Sequence, residues 1–113
     1  MAAVYVNNLV INTGANFSQL FTLEGSATNS SFNLTNYSAA SQMRKWSGST
    51  SAITFTTTVE SESAGQILLR LTAAQTAEIK PGRYIYDVVI TDEYGVKNRV
   101  IEGMVLVREG ATR

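Results

Sequence analysis

Few side chains in this sequence could do chemistry, and those few are carboxylates. The chain has no histidine and no cysteine, which removes the commonest general base and most zinc ligands, together with serine- and cysteine-based hydrolysis. Four acidic residues remain close together in the last third of the chain, namely Asp87, Asp92, Glu93 and Glu102. Two of them could in principle form the acid and base pair of a glycosidase.

The positions of these carboxylates favour a structural role instead. Asp92 and Glu93 fall in a stretch of turn composition, where solvated acids are common. Asp87 stands alone among the apolar residues 84–90, so we expect it to face solvent or to pair with an arginine. The candidate arginines are Arg44, Arg70 and Arg99. We therefore predict that the protein is not an enzyme, with no catalytic residues, no metal site and no cofactor.

Charge and hydropathy limit the partners. Nine basic residues balance nine acidic ones without any basic run, so we expect no nucleic-acid binding. No window approaches the roughly 20 apolar residues of a membrane span, and the first residues lack the positive charge of a signal peptide. We expect an intracellular product with no membrane partner. Charged residues make up only 16% of the chain, against about 25% in typical domains, which indicates a surface kept for a protein partner.

A long hairpin in the last third should organise the fold. Residues 84–91 and 100–107 are rich in β-branched and aromatic side chains, and Gly95 ends the turn-like segment between them. Alternating apolar residues predict further strands over residues 53–59 and 66–71. Strands are also expected in residues 4–11, 17–23 and 39–45.

One short helix is predicted over residues 73–79, because Thr72 and Gln75 have the spacing of a capping box. The next residues suit a type II turn with Gly82 at its positive-φ position, and Gly103 in mid-strand predicts a bulge or a close backbone approach. About seven strands and one helix predict an all-β fold, an immunoglobulin-like antiparallel β-sandwich. We expect residues 1–113 to form this single domain.

The final predicted strand is apolar on both faces. Alternation places Val105 and Val107 on one face and Val100, Met104 and Leu106 on the other, whereas a sandwich strand ordinarily keeps one face polar. Either the loop of residues 24–38 or a neighbouring subunit should cover the second face. The loop carries Phe32, Leu34 and Tyr37, spaced to reach the core. We predict a subunit interface at Val100, Met104 and Leu106, and a homo-oligomer.

Several motifs resemble those of small structural proteins of tailed bacteriophages. They are Gly82-Arg83-Tyr84-x-Tyr86-Asp87-Val88, Asp92-x-x-Gly95 and Gly103-x-Val105-x-Val107. Three earlier segments fit the same pattern, which is similar to the immunoglobulin-like N-terminal domain of phage baseplate upper proteins: Leu9-Val10-Ile11-x-x-Gly14-Ala15-x-Phe17, Leu34-Thr35-x-Tyr37 and Gln42-Met43-Arg44-Lys45.

The resemblance implies a virion structural or assembly protein without enzymatic activity. Tail, neck, baseplate adaptor and capsid-decorating subunits all fit, and this sequence lacks the receptor-binding extension of the baseplate protein. The implied partners are copies of the chain and other virion structural proteins, and the implied location is the virion, after synthesis in the bacterial host cytoplasm. The alternative is a carbohydrate-binding module that stacks sugars on Trp46 and Tyr94, although packing in the core or loops is the expected role of its scattered aromatic residues.

Overall fold

A computed structural model describes residues 5–23, 34–46, 48 and 52–110. Within these ranges nine strands and one short helix build two stacked sheets, so the predicted all-β sandwich of immunoglobulin-like character is confirmed. The strands are β1 (Tyr5–Val6), β2 (Leu9–Asn12), β3 (Phe17–Thr22), β4 (Ser38–Arg44), β5 (Ile53–Thr54), β6 (Thr56–Ser61), β7 (Gln66–Leu71), β8 (Gly82–Thr91) and β9 (Lys97–Arg108), with α1 (Ala73–Ala77) between β7 and β8. No helix in these ranges is long and apolar enough to cross a membrane.

The two sheets differ in size and in strand direction. The larger sheet has six strands in the order β1-β9-β8-β4-β5, with β2 also paired to β9, and the smaller has the order β3-β7-β6. Every pairing is antiparallel except those of β1 and β2, which run parallel to β9. The sandwich is therefore mainly antiparallel, as predicted, with a parallel addition at the edge beside β9. The last residue of β2, Asn12, pairs with Arg108 near the end of β9, and β3 then begins opposite Leu71 in the other sheet. To make this connection, β2 runs in the same direction as β9.

The strand predicted over residues 53–59 is divided between the sheets. Its first part, β5, pairs with β4 in the larger sheet, and its second part, β6, pairs with β7 in the smaller one. The break is at Phe55, whose backbone N–H donates to the Ser41 carbonyl at 3.0 Å. The buried Phe55 ring lies 5.9 Å from the Phe17 ring and 6.3 Å from that of Tyr86. Phe55 thus links the two sheets through the core.

The predicted hairpin is present as β8 and β9. In its turn the Asp92 carboxylate accepts hydrogen bonds from the backbone N–H groups of Tyr94 and Val96, both at 2.9 Å, and Gly95 takes the expected positive φ of 82°. The ladder contains a bulge, because Val88 faces Ile101 while Val89 faces Arg99. One residue, Val100, is therefore extra in β9, which reverses the alternation of the residues before it.

The connection from β7 to β8 keeps most of its predicted features. The Thr72 hydroxyl accepts from the Gln75 N–H at 3.2 Å, and the Gln75 side chain accepts from the Thr72 N–H at 2.8 Å, which completes the capping box. Gly82 has positive φ, but its value of 145° is far from the about 80° of a type II turn. Gly82 instead begins β8.

The core lies between the sheets, and its two buried polar side chains are satisfied. The Ser41 hydroxyl donates to the Asp87 carbonyl at 2.6 Å, and the Thr76 hydroxyl donates to the Ala15 carbonyl at 2.8 Å. Leu34 is buried and Tyr37 packs against the core, as expected for the end of the 24–38 loop. Phe32, the third residue of that expectation, lies outside the described ranges.

Candidate functional site

The outer face of the six-stranded sheet carries a group of neighbouring exposed apolar side chains. Strand register places Leu106 between Val10 and Arg83, and places Met104 beside Ile85. Met104 is 49% exposed and Leu106 is 42% exposed. Four exposed apolar side chains thus adjoin across three neighbouring strands. We call this group the apolar strip, and it consists of Val10, Ile85, Met104 and Leu106.

Val100 does not belong to this face, contrary to the sequence-based prediction. It is 1% exposed and lies in the core together with Ile101. The reason is the bulge opposite Val88 and Val89, where Val100 is the extra residue of β9. At such a bulge two successive residues, here Val100 and Ile101, can point to the same face, and alternation resumes on either side of them. Simple alternation counted back from Leu106 therefore places Val100 wrongly, whereas Met104 and Leu106 lie on the outer face as predicted.

The described parts of the 24–38 loop lie away from the apolar strip. The residues that flank its undescribed segment are both tied to the turn between β6 and β7. Leu23 donates its N–H to the Gly65 carbonyl and Leu34 donates its N–H to the Glu62 carbonyl, each at 2.8 Å. That turn belongs to the smaller sheet. Among the described residues, this loop gives the strip no cover.

A charged border adjoins the strip. The Arg99 guanidinium lies 3.3 Å from an Asp87 oxygen and 3.8 Å from a Glu102 oxygen, and Arg44 donates to the Gln42 side chain at 3.2 Å. Of the three arginines proposed for Asp87, Arg99 is therefore the partner. A shallow groove of about 560 Å³ runs between these polar groups and the side chains of Ile85 and Met104. The face thus joins an apolar surface to groups that can fix a partner's orientation.

The edge of this face is held by an arrangement around Gly103. The Asn7 carbonyl lies so close to Gly103 that any side chain there would clash with it, which confirms the predicted close approach. The Tyr86 hydroxyl donates to the same carbonyl at 2.5 Å, and burial raises the pKa of Tyr86 to about 12. The Asn8 side chain accepts from the Met104 N–H at 3.0 Å. The sequence indicated two parts of this arrangement, Gly103 and the polar Asn7-Asn8 pair between two apolar segments. It did not indicate that the Tyr86 hydroxyl would bind the Asn7 carbonyl.

The four candidate carboxylates do not converge on one site. Asp87 and Glu102 are direct cross-strand partners that share Arg99. Asp92 and Glu93 lie in the hairpin turn, where Asp92 is engaged with the backbone. In the part of the chain that the structure describes, no group of three or more His, Cys, Asp or Glu residues is placed to hold a metal ion.

The exposed aromatic residues are also dispersed. Tyr94 is 84% exposed in the hairpin turn beyond the end of β8, whereas Trp46 is 61% exposed just after β4, near the start of β8. The ten residues of β8 separate these positions by roughly 30 Å. Trp46 and Tyr94 therefore cannot stack on the same sugar, so the carbohydrate-binding alternative does not have the joint platform that it expected.

No family model and no curated protein matches the sequence. Among solved structures, the chain is similar to the SrpA adhesin from Streptococcus sanguinis, with a TM-score of 0.51 and 10% identity over 96% of this chain and 57% of that one. It is also similar to an internalin-like protein from Listeria monocytogenes, with a TM-score of 0.45 and 15% identity over 95% of this chain and 28% of that one. The chain thus spans less than two thirds of either structure, and the likeness concerns the fold alone.

Proposed function

We propose that this protein is a structural subunit without enzymatic activity, which associates through the apolar strip with copies of itself in an assembly. The observation that carries the proposal is the exposure of Met104 and Leu106 beside Val10 and Ile85 on the outer face of the larger sheet. A contiguous apolar patch of this kind marks an interaction surface. The chain has zero net charge, so little electrostatic repulsion opposes self-association.

The energetics fit a repeated contact better than an isolated one. Complete burial of a large apolar side chain contributes about 1.5–3 kcal/mol. The four side chains of the apolar strip are already about half buried within the molecule, so association can add only about half of this amount for each. Association costs about 4–15 kcal/mol in lost motion. The three strands that carry the strip, at about 4.8 Å spacing and at most about 30 Å length, present roughly 430 Å² or less, which is below the roughly 600 Å² that one partner contributes to the smallest standard interfaces. Symmetric repetition in a closed ring would add such contacts together.

The virion of a tailed phage is the proposed setting. It is supported by the resemblance of the motifs around Gly82, Gly95 and Gly103, which form the two ends and the middle of the central hairpin. In that setting the other partners are virion structural proteins, and the subunit is made in the bacterial host cytoplasm. Mass spectrometry of purified particles tests this directly, since absence of the chain from intact virions would contradict the setting and leave the self-association proposal standing.

The interface itself is tested by Met104→Glu combined with Leu106→Glu. Both side chains are substantially exposed, so the variant should melt near the temperature of the wild type while sedimentation velocity reports a smaller species. The matched control is Leu20→Glu, because Leu20 is comparably exposed on the outer face of the smaller sheet and its replacement should leave the size unchanged. A double variant that stays folded at the wild-type size would contradict the interface.

A further inference from the structure

The two ends of the sandwich carry opposite charge. We call the end at which β8 begins and α1 lies the helix end. Strand register and chain order place six basic residues there: Arg44, Lys45, Arg70, Lys80, Arg83 and Arg108. Within the described ranges, Glu78 and Glu109 are the acidic residues at this end. Six basic residues against two acidic ones give the helix end four net positive charges.

The opposite end, which we call the hairpin end, is acidic. The turn between β6 and β7 and the turn between β8 and β9 meet there, because Leu34 donates its N–H to the Glu62 carbonyl at 2.8 Å and Asn36 donates to the Glu93 carboxylate at 3.4 Å. Among the residues that the structure describes, the charged ones at this end are Glu60, Glu62, Asp92, Glu93 and Lys97. Four acidic residues against one basic give three net negative charges.

Each charged end also presents an exposed aromatic side chain. Trp46 adjoins Lys45 at the helix end, and Tyr94 adjoins Glu93 at the hairpin end, with Val96 also exposed beside it. Trp, Tyr and Arg are the residue types most enriched among the side chains that dominate binding energy at interfaces. The domain is elongated, with extents of 45 × 28 × 21 Å, so the two ends cannot meet within one molecule. They can meet between two copies.

We propose that copies of this chain associate head to tail, with the helix end of one against the hairpin end of the next. The partner is a second copy because its opposite end supplies the complementary charge, and both ends supply an aromatic side chain for the centre of the contact. Such a heterologous contact extends into a ring or filament. It does not depend on the proposed function, since it uses the ends of the sandwich and leaves the apolar strip on the sheet face uninvolved.

The charges here select orientation, and the aromatic groups supply contact area. Exposed ion pairs stabilise a contact only weakly, and they are screened over about 8 Å at physiological salt. Complementary potentials raise the association rate and disfavour the wrong orientation. Head-to-tail association should therefore weaken strongly between about 20 mM and 500 mM salt, whereas association through the apolar strip should change little, because hydrophobic contacts are not screened.

Engineered cysteines test the orientation, because the natural chain has no cysteine to interfere. Gly48→Cys, beside the Trp46 ring, and Val96→Cys, close to Tyr94, leave both aromatic side chains in place. They are made as separate proteins in a Met104→Gln, Leu106→Gln background, which removes the apolar strip without adding charge. Under mild oxidation at low salt, a mixture of the two should form disulfide-linked dimers several times faster than either protein alone. Leu20→Cys replaces one partner as the control for random collision. Equal cross-linking in all samples would overturn the head-to-tail contact.

Charge reversal gives an independent measurement that needs no cysteine. Lys45→Glu, Lys80→Glu and Arg108→Glu together change the helix end from four net positive charges to two net negative ones, so both ends of this variant are acidic. Glu62→Lys with Glu93→Lys changes the hairpin end from three net negative charges to one net positive one, so both ends of the other variant are basic. Both variants are made in a Met104→Gln, Leu106→Gln background, which removes the apolar strip. Each variant alone should then sediment as a monomer at low salt, and an equimolar mixture should regain the larger species. Circular dichroism checks that both variants are folded. Variants that separately retain the wild-type size, or a mixture no larger than its components, would contradict the proposal even if the apolar strip proves to be an interface.

Discussion

The two faces of β9 carry similar side chains in different surroundings. On the inner face, Ile101, Val105 and Val107 are almost fully buried within the core. On the outer face, Met104 and Leu106 keep nearly half of their surface exposed. The inner face stabilises the fold of one molecule, while the outer face remains available to another. Apolar composition on both faces of a strand therefore does not tell which face the fold buries; only the packing tells that.

The largest expected effect comes from Val100, which the bulge moves from the outer face to the inner one. Val100→Glu would place a carboxylate in the core without a partner, so it should lower the free energy of unfolding by about 4 kcal/mol or more. Met104→Glu, on the exposed face, should change it by less than about 1 kcal/mol. Urea denaturation of both variants at low protein concentration measures the contrast. Similar losses in both variants would mean that the two faces do not differ as described.

The second prediction concerns Gly103, where the edge of the sheet meets the inner face. Gly103→Ala should cost about 1–3 kcal/mol, because the new methyl group would overlap the Asn7 carbonyl and force backbone to move. Gly48→Ala is the control, since a methyl group there meets only the Trp46 ring at 3.4 Å, and its effect should be small. A thermal melt of Gly103→Ala identical to that of the wild type would show that β2 is not held in this position.

Local signals in the sequence predicted local structure well. The capping residues Thr72 and Gln75, the hairpin turn before Gly95 and the close approach at Gly103 were all identified, because each depends on a few neighbouring residues and on known backbone preferences. The same holds for the alternating strand Gln66–Leu71, whose Ile67, Leu69 and Leu71 are buried.

The failures share one cause, which is that sheet membership depends on distant partners. Alternation counts residues and cannot register the insertion of Val100 into β9. The alternation of apolar and polar residues also continues without a break through Phe55, although the chain passes there from one sheet to the other. The parallel pairing of β2 with β9 joins residues 96 positions apart, as in Leu9 with Val105. For the candidate site, Met104 and Leu106 were predicted, but the opposite charges at the two ends emerge only from the topology.

The third prediction tests the inner face through Tyr86, whose hydroxyl donates to the Asn7 carbonyl. Tyr86→Phe should cost about 1–2 kcal/mol near neutral pH through the lost hydrogen bond. The pKa of Tyr86 is raised by burial from 10.0 to about 12, so the folded state keeps a proton that the unfolded chain releases above about pH 10. The wild type should therefore lose stability as pH rises from about 10 to 12, because the unfolded state then binds fewer protons than the native state.

Urea denaturation of both proteins at about pH 9 and pH 11.5 separates this contribution from other alkaline effects. Tyr86→Phe lacks the titrating group, so the difference between the two proteins should shrink at the higher pH. A difference that is constant or grows with pH would indicate that the Tyr86 hydroxyl is not protected by burial.

The smallest expected effect lies on the outer face, at Arg99. Its guanidinium bridges Asp87 and Glu102, but the three side chains keep 58%, 39% and 47% of their surface exposed. Exposed ion pairs contribute about 0–1 kcal/mol. Arg99→Gln removes both pairs and leaves two like charges opposite each other across the strands, which adds a small repulsion. We expect a loss of less than about 1 kcal/mol at low salt, and almost none at about 0.5 M salt, because the Debye length is then only a few ångströms.

A double-mutant cycle with Asp87→Asn isolates the bridge from any effect of shortening the arginine side chain. Asn has the same shape as Asp, and the backbone carbonyl of residue 87 stays available to the Ser41 hydroxyl, so this substitution removes the charge without disturbing the fold. A coupling energy below about 1 kcal/mol would place these groups with the apolar strip, as features that orient a partner more than they stabilise the domain. A loss of about 2 kcal/mol or more for Arg99→Gln would mean that side chains of the outer face also stabilise the fold. The contrast between a stabilising inner face and an outer face that contributes little to stability would then not hold near the bulge.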